Sequence, residues 1–464
     1  MDQPAPRLIR PSGWDGHHGR PRLVIVGGGF AGVAAAKGLR GVDIDVLLID
    51  RRNHQIFQPL LYQAATGVLA PSDIAAPLRQ LAVAQPNVSV ELGEVTAVDL
   101  KSRQVNARTP DGQAVEIPFD FLVLAAGVGP NYFGHDGFAA GAPALKTLSD
   151  AEAVRSKILQ AYELAEASDD AAERARLMTF VVVGAGPTGV ELAATLAHMA
   201  RVTLRRDFRR IRPGDTKIVL LEGGKRLLPT FDEKLAAAAQ RQLDRLGVIV
   251  RLGAVAEEID ARGVTVAGVR TPAATVIWAA GVIASPLAAN AGLPADRSRR
   301  TLVGPDLEAE PNSNVFVVGD AASIKQASGK PVPGVAQAAL QQGHYVSRVI
   351  RARLAGAPAP PPFRYHDLGS MAVVGKDYAL LEAPSWKMSG RLTWLVWAFI
   401  HISTLPRLQN RLRVGVQWLW SYFTGQRSSR LITEPAWPTQ PAQTKPAAAA
   451  SEAPPVAARA QAGR

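Results

Sequence analysis

Short apolar runs, each closing on a glycine or an acid, punctuate the chain: LVIV before a glycine turn, then DVLLID, FDFLVLAAG, FVVVGAG, KIVLLE, TVIWAAG and VFVVGD. Runs of this length without polar alternation predict parallel strands buried on both faces. Twice such a run passes through a glycine turn into an alanine-rich stretch, in RLVIVGGGFAGVAAAKGL and FVVVGAGPTGVELAATLAHM, which predicts two strand–turn–helix units. Their turns begin at Gly27 and Gly184, 157 residues apart, a separation that suits two nucleotide-binding halves of one protein rather than a solenoid repeat.

In the first unit Gly27, Gly29 and Gly32 form GxGxxG, and Asp50 closes the next strand 18 residues after Gly32. Glycine permits the tight turn, the approach of a pyrophosphate and close helix–strand packing, and the helix N-terminus faces the phosphates, while the acid accepts from a ribose. Gly28, Phe30 and Ala31 lie within the same turn and join the cofactor-binding candidates. The second unit repeats the motif in Gly184, Gly186 and Gly189, but its acid, Glu222, follows Gly189 by 33 residues. The excess holds RVTLRRDFRRIRPGD, six arginines in a solvated loop or helix extension. Glu222 would bind an adenosine 2′-hydroxyl and repel a 2′-phosphate, favouring NADH over NADPH, with Lys225 and Arg226 nearby working against that preference.

Two such sites imply a tightly held flavin facing an exchangeable nicotinamide. VFVVGDAASI places Asp320 after a strand-end glycine, ahead of a helix whose N-terminus around Ala336 points its positive end at a flavin. A plain turn with an Asp cap is the alternative for this element alone. The expected fold is α/β, with two Rossmann-like dinucleotide-binding domains for FAD and NADH and a C-terminal membrane-associated helical segment. The domains expected are a disordered arm at 1–20, an FAD domain at 21–148 and 288–370, an NADH domain at 149–287, a membrane-anchoring segment at 371–433 and a disordered Pro/Ala tail at 434–464.

Composition narrows the chemistry. The 464 residues suffice for two or three domains, and the chain contains no cysteine. That excludes disulfides, thiolate metal sites, cysteine-held iron–sulfur clusters and dithiol relays. No metal site is visible. The formal charge of +12 asks for an anionic neighbour. Between residues 383 and 433 there is neither Asp nor Glu, but seven Lys or Arg and five of the eight tryptophans. Its apolar stretches, LTWLVWAFIHI and VGVQWLW, are too short to span a bilayer and are split by Pro406. Basic charge interleaved with Trp, Phe and Leu describes an interfacial helix pair on an anionic lipid surface, with a core hairpin or dimer interface as the alternative. Charge clustered with tryptophan rather than along a base-reading motif disfavours nucleic acid as a partner.

The motifs DRRNHQIFQPLLYQAATGVL, GAGPTGVEL, EGGKRLLP, WAAGV, GDAA, AQAALQQG and GKDYA together resemble the type II NADH dehydrogenases, non-proton-pumping NADH:quinone oxidoreductases of the two-dinucleotide-binding-domain flavoprotein fold. The resemblance implies that the Gly27–Gly29–Gly32 turn, Asp50, Arg51, Val95, Asp320, Ala336 and Gln337 contact FAD, and that Gly184, Gly186, Gly189 and Glu222 contact NADH. Gly127 and Gly281, at turns after two strands, are further cofactor-binding candidates; for Val95 an ordinary strand position is the alternative. It also implies a quinone site where Gln337 and Gln341 leave one face of a helix, a proton relay at Glu191, and a lysine at Lys376 that stabilises anionic reduced flavin. A first-turn glutamate favoured by the helix dipole is the alternative for Glu191.

The activity implied is ping-pong oxidation of NADH by FAD followed by two-electron reduction of a membrane quinone, with the protein peripheral on the cytoplasmic face of the cell membrane; a homodimer is left open. A sulfide:quinone reductase would need redox cysteines that this chain lacks. A soluble NADH-dependent reductase of an electron-carrier protein and a membrane-peripheral redox sensor without turnover are the competing readings.

Overall fold

The computed structural model describes residues 19–326, 329–427 and 429–433, together with the pair Arg7–Leu8. The tail expected at 434–464, and most of the arm expected at 1–20, lie outside the described residues; Arg7–Leu8 adds a short parallel strand beside Val115–Glu116.

The apolar runs become two parallel sheets. The first has five strands in the order Val315–Val317, Phe121–Leu124, Arg22–Val26, Asp45–Asp50 and Val88–Leu92. Its neighbours are all parallel, and Leu23, Val24, Ile25, Leu47 and Leu122 are fully buried. The second has four, in the order Val248–Leu252, Lys217–Glu222, Thr179–Val183 and Thr275–Trp278. The chain crosses between them where Val128–Pro130 pairs antiparallel with Val282–Ala284. Beyond that crossing Tyr132 and Phe138 pack on Trp278 of the second sheet, with ring centroids 4.9 and 6.1 Å apart.

The helices Phe30–Gly38 and Ala336–Leu354 meet at glycines. A Cβ on Gly343 would lie 2.2 Å from the Ala31 carbonyl oxygen, and one on Gly38 would lie 2.1 Å from Ser347 Oγ. Only a missing side chain allows that approach, and it holds the middle of the second helix against the first turn of the first.

The stretch expected to anchor the chain from 371 onward divides at Gly390. Before it, Ser370–Val373, Ala379–Ala383 and Trp386–Gly390 form an antiparallel sheet, and Ala372, Ala379 and Leu380 are buried. After it come two helices, Arg391–Thr404 and Leu408–Thr424. Their inner faces bury Thr393, Trp397, Asn410 and Val414, and Trp397 stacks on Trp418 at 5.0 Å. The Arg-rich insertion begins as a continuation of the preceding helix, a π-type turn at Met199–Thr203, and then becomes a loop. Glu166 holds that loop by accepting from the backbone N–H groups of Arg209, Arg210 and Ile211.

Asn410 fastens the helix pair to the body. Its buried Nδ2 points into a cup of three carbonyl oxygens, Ser72 at 3.1 Å, Asp73 at 2.6 Å and Ala75 at 3.2 Å. Asn410→Ala leaves those acceptors unmatched and is expected to weaken docking of the helix pair by about 1–3 kcal/mol. Limited proteolysis checks this: cleavage between residues 404 and 408 should accelerate while the two sheets stay resistant.

Candidate functional site

Each glycine turn is held by the acid at the end of the neighbouring strand. Asp50 Oδ2 accepts from the Gly28 N–H at 2.7 Å and Oδ1 from the Arg52 N–H at 2.7 Å. Glu222 repeats the arrangement, Oε2 accepting from Ala185 at 2.8 Å and Oε1 from Gly224 at 2.7 Å. A carboxylate has about four acceptor positions, so both retain capacity for a ribose hydroxyl after fixing the turn. Gly27 and Gly184 sit at φ +108° and +102°, a region that favours glycine. A Cβ on Gly32 or Gly189 would lie 1.9 or 1.8 Å from the carbonyl oxygen of Gly27 or Gly184. By contrast a Cβ on Gly29 or Gly186 would meet no protein atom within 4 Å. These two glycines face the space a diphosphate needs.

The helix termini agree. Helices Phe30–Gly38, Pro187–His198 and Ala336–Leu354 begin without a side-chain cap, whereas Thr147, Asp170 and Asp232 cap the helices that follow them. Uncapped N–H groups at a glycine turn are open to an anion or a carbonyl. Gly319, at φ +72°, brings the third element to the same place, since a Cβ there would lie 3.5 Å from the Ala31 Cβ and 3.8 Å from the Ala339 Cβ. Its N–H donates to Gln342 Oε1 at 2.5 Å. Burial raises the Asp320 carboxyl above its ordinary range against the pull of Lys146 and Arg300. Lys146 is lowered by burial, opposed by Asp320. The donors and acceptors present fit two dinucleotides, one on each sheet.

Other expected contacts fall around these turns. Arg51 is exposed, while Arg52 keeps its Nε 3.8 Å from Asp50. Val95 pairs with Ala107 in an outer sheet and is half-buried. Gly127 and Gly281 adopt φ +66° and +65°, and the Phe133 ring covers Gly281. Arg226 is committed to the carbonyls of Phe231 and Pro229 at 2.9 and 2.8 Å.

The four expected catalytic residues divide. Gln337 donates to the Gly369 carbonyl at 2.8 Å and accepts from the Leu368 N–H at 3.1 Å. Gln341 makes the same two-way contact with the backbone of His366, at 2.9 Å each way. Both amides therefore brace the segment at 366–369 that leads into the strand Ser370–Val373. Glu191 and Lys376 lie instead at a second centre. Glu191 falls beyond the first turn of its helix and is buried, which removes the alternative of a first-turn glutamate favoured by the helix dipole. It accepts from the Val373 N–H at 3.2 Å, and burial pushes its pKa up to about 8 against that bond.

Beside it, a cavity of about 100 Å³ is lined by Tyr62, Gln63, Val68, Thr195, His198, Val373, Gly375, Lys376, Trp394, Trp397, Trp418, Ser421, Tyr422 and Arg427. Lys376 Nζ donates to the Tyr422 carbonyl at 2.8 Å and lies 4.3 Å from the Tyr422 ring. Trp418 Nε1 donates to Gln63 Oε1 at 2.7 Å, and Gln63 Nε2 donates to the Tyr62 hydroxyl at 3.1 Å. Burial raises the Tyr62 hydroxyl well above its ordinary value, with Glu191 adding to the effect. Tyr62 and Gln63 are not site candidates in the sequence although they stand in the motif FQPLLYQ, His198 carries no motif signal, and Arg427 is legible only as one of the seven basic residues between 383 and 433.

A family model described as pyridine nucleotide-disulphide oxidoreductase matches residues 21–343. The chain is 41% identical over 428 residues to the type II NADH:quinone oxidoreductase NdhA of Mycobacterium tuberculosis, covering 89% of this chain and 90% of that protein. It is 32% identical over 414 residues to the demethylphylloquinone reductase NdbB of Synechocystis, covering 86% and 96%. The solved structure of Plasmodium falciparum NDH2 in complex with NADH superposes with a TM-score of 0.82 at 20% identity, over 88% of this chain and 99% of that one.

The state of Glu191 has a thermodynamic signature. Its folded pKa of about 8 stands above the ordinary carboxyl value of 4.5, so its contribution is fully present below about pH 4.5 and is lost as pH rises through about 8. Glu191→Gln, which cannot ionise, should remove that loss. The difference in Tm between variant and wild type is expected to shift in favour of the variant from pH 5 to pH 8.5, checked by thermal unfolding across that range.

Proposed function

The chain belongs to the type II NADH:quinone oxidoreductases, within the pyridine nucleotide-disulphide oxidoreductase family, and on that premise we propose that its quinone is reduced in the cavity between the C-terminal helix pair and the helix carrying Glu191. The enzyme uses FAD and NADH, and bound FAD relays two electrons from one substrate to the other. The observation that carries the location is the joining of a buried carboxyl to an aromatic cavity through Val373, which bonds Glu191 and also lines the cavity.

The chain's own groups divide the work. The turns around Gly29 and Gly186 hold the FAD and NADH diphosphates at helix N-termini, and Asp50 and Glu222 fix those turns. Asp320 and the open start of the helix at Ala336 serve the flavin half. Glu222 disfavours a 2′-phosphate, and the neighbouring Arg226 is spent on two loop carbonyls, which supports NADH over NADPH. Glu191, neutral at pH 7, holds a proton for the quinone oxygen. The wall of Trp394, Trp397 and Trp418 excludes water, and Lys376 is fixed at the cavity by Tyr422.

Access to the quinone comes from a lipid surface in this proposal. No helix among the described residues is long and apolar enough to cross a membrane. The helix pair nevertheless turns Leu392, Leu395, Phe399, Leu412, Val416, Leu419, Trp420 and Phe423 outward, each more than half exposed. With Arg391, Arg407, Arg411 and Arg413 among them, this face suits peripheral attachment to anionic lipid on the cytoplasmic side. A reductase of a soluble carrier has no use for it.

Stopped-flow spectroscopy of the purified flavoprotein tests the reading. NADH should bleach the flavin band, NADPH should do so far more slowly, and a short-chain quinone should restore it. Bleaching without restoration by quinone would shift the reading to a soluble carrier protein. Vesicle flotation tests the surface: binding to vesicles containing anionic lipid is expected, and a Leu412→Glu, Val416→Glu, Phe423→Glu variant should remain in the soluble fraction.

A further inference from the structure

Beyond the helix pair the chain returns to the body. The Ser429 N–H donates to the Gly67 carbonyl at 3.3 Å, the Leu431 carbonyl accepts from Arg155 Nε at 3.2 Å, and Arg430 pairs with Asp207 in the Arg-rich insertion. This return carries Arg427 inward until it is only 5% exposed and lines the cavity. Its Nη1 donates to the Thr66 carbonyl at 2.9 Å; its Nη2 reaches the Thr195 carbonyl and His198 Nδ1, each at 3.1 Å.

A buried charge ordinarily has a partner of opposite sign. Among the described residues Arg427 forms no ion pair with a carboxylate. The His198 imidazole beside it is kept neutral, its pKa pushed down to about 3 by burial first and by Arg427 next. The buried carboxyl beside the cavity, Glu191, is also neutral at pH 7. Lys376, the other cation of the cavity, adds to the same sign. A guanidinium has five donors, and three contacts leave two of them. An apolar, aromatic cavity with surplus positive charge suits a ligand that enters neutral and becomes negative during the reaction.

We propose that Arg427 binds the carbonyl oxygen of the quinone and holds the negative charge on that oxygen until its proton arrives. The role rests on the placement of the quinone in this cavity. The balance is that of quinol formation, two electrons and two protons added as two C=O groups become C–OH. Both electrons and one proton come from the reduced cofactor, which is oxidised in the same step, and the second proton leaves the Glu191 carboxyl, which is replenished from water. The charge on the oxygen exists only between these events, so Arg427 acts more strongly on the intermediate state than on the bound quinone.

The structural alternative is a clamp. The Thr66 carbonyl closes the helix Leu61–Ala65 and the Thr195 carbonyl lies in the last turn of Pro187–His198, where a cation is favourable. Two variants separate the readings in the FAD-loaded enzyme. Arg427→Lys keeps the charge, and Arg427→Gln removes it. The first readout is quenching of tryptophan fluorescence by a short-chain ubiquinone without NADH, with Trp418→Phe reporting whether the quinone sits in this cavity. The second is stopped-flow, which separates flavin reduction by NADH from reoxidation by quinone. Arg427→Gln is expected to slow reoxidation by about tenfold to a hundredfold, the effect of losing a hydrogen bond to a charged group. It should weaken quinone binding by less, leave reduction by NADH unchanged, and be largely rescued in Arg427→Lys. Unchanged reoxidation in Arg427→Gln overturns the proposal, as does equal loss in both variants accompanied by a fall in Tm, which marks a clamp. If Trp418→Phe leaves the quenching of the wild type intact, the cavity is not the quinone site and the underlying placement fails first.

Discussion

The carboxylate that ties down a glycine turn is the interaction on which the site depends. Asp50 and Glu222 each spend one oxygen on the N–H of the residue between the first two glycines, at 2.7 and 2.8 Å. A glycine turn without that tether has more backbone freedom than any other sequence and loses more entropy on ordering. The tether is a hydrogen bond to a charged acceptor, among the stronger kinds. It fixes the turn with its uncapped helix behind it and an open space before it. Because both sheets use the same device, the chain holds two nucleotide sites of like geometry, and the crossing at Val128–Pro130 and Val282–Ala284 sets them against one another.

The second centre works by exclusion of charge of one sign. Glu191 is neutral at pH 7 and its neighbour Tyr62 keeps its proton, while Lys376 and Arg427 contribute positive charge. Burial does most of this: the low-dielectric surroundings that discourage a carboxylate also strengthen whatever the cations do to a developing anion. The tryptophan wall and the docked helix pair cover those surroundings. Asn410, by fastening that pair to the Ser72–Ala75 carbonyls, thus bears on the shape of the cavity from outside it.

Much of this was legible in the sequence where the constraint is local. Gly27, Gly32, Gly184 and Gly189 are required by the turn itself, and the apolar runs before them could only be buried strands. Asp50 and Glu222 were found as acids, but their first partners proved to be the turns. What the sequence could not show depends on chain segments meeting from far apart. The i, i+4 spacing of Gln337 and Gln341 correctly puts both on one face; that this face meets residues 366–369 is set by the return of the chain. Arg427 counts in the sequence only as one of the basic residues of the lipid-facing segment, and docking against Thr66, Thr195 and His198 buries it. The lack of acids begins only at 383, and residues 370–390 form a sheet whose first two strands pack on the body, whereas the helices after Gly390 expose a broad apolar face.

Gln337 and Gln341 brace the backbone at 366–369, apart from Glu191 and Lys376, and the quinone is proposed to occupy the cavity between Glu191 and the helix pair. Photolabelling the FAD-loaded enzyme with an azido-quinone, followed by peptide mass spectrometry, tests it most directly. The account predicts adducts on peptides spanning residues 62–68 and 394–422, suppressed by excess unlabelled quinone. Competable adducts confined to residues 337–341 and 366–369 would contradict it.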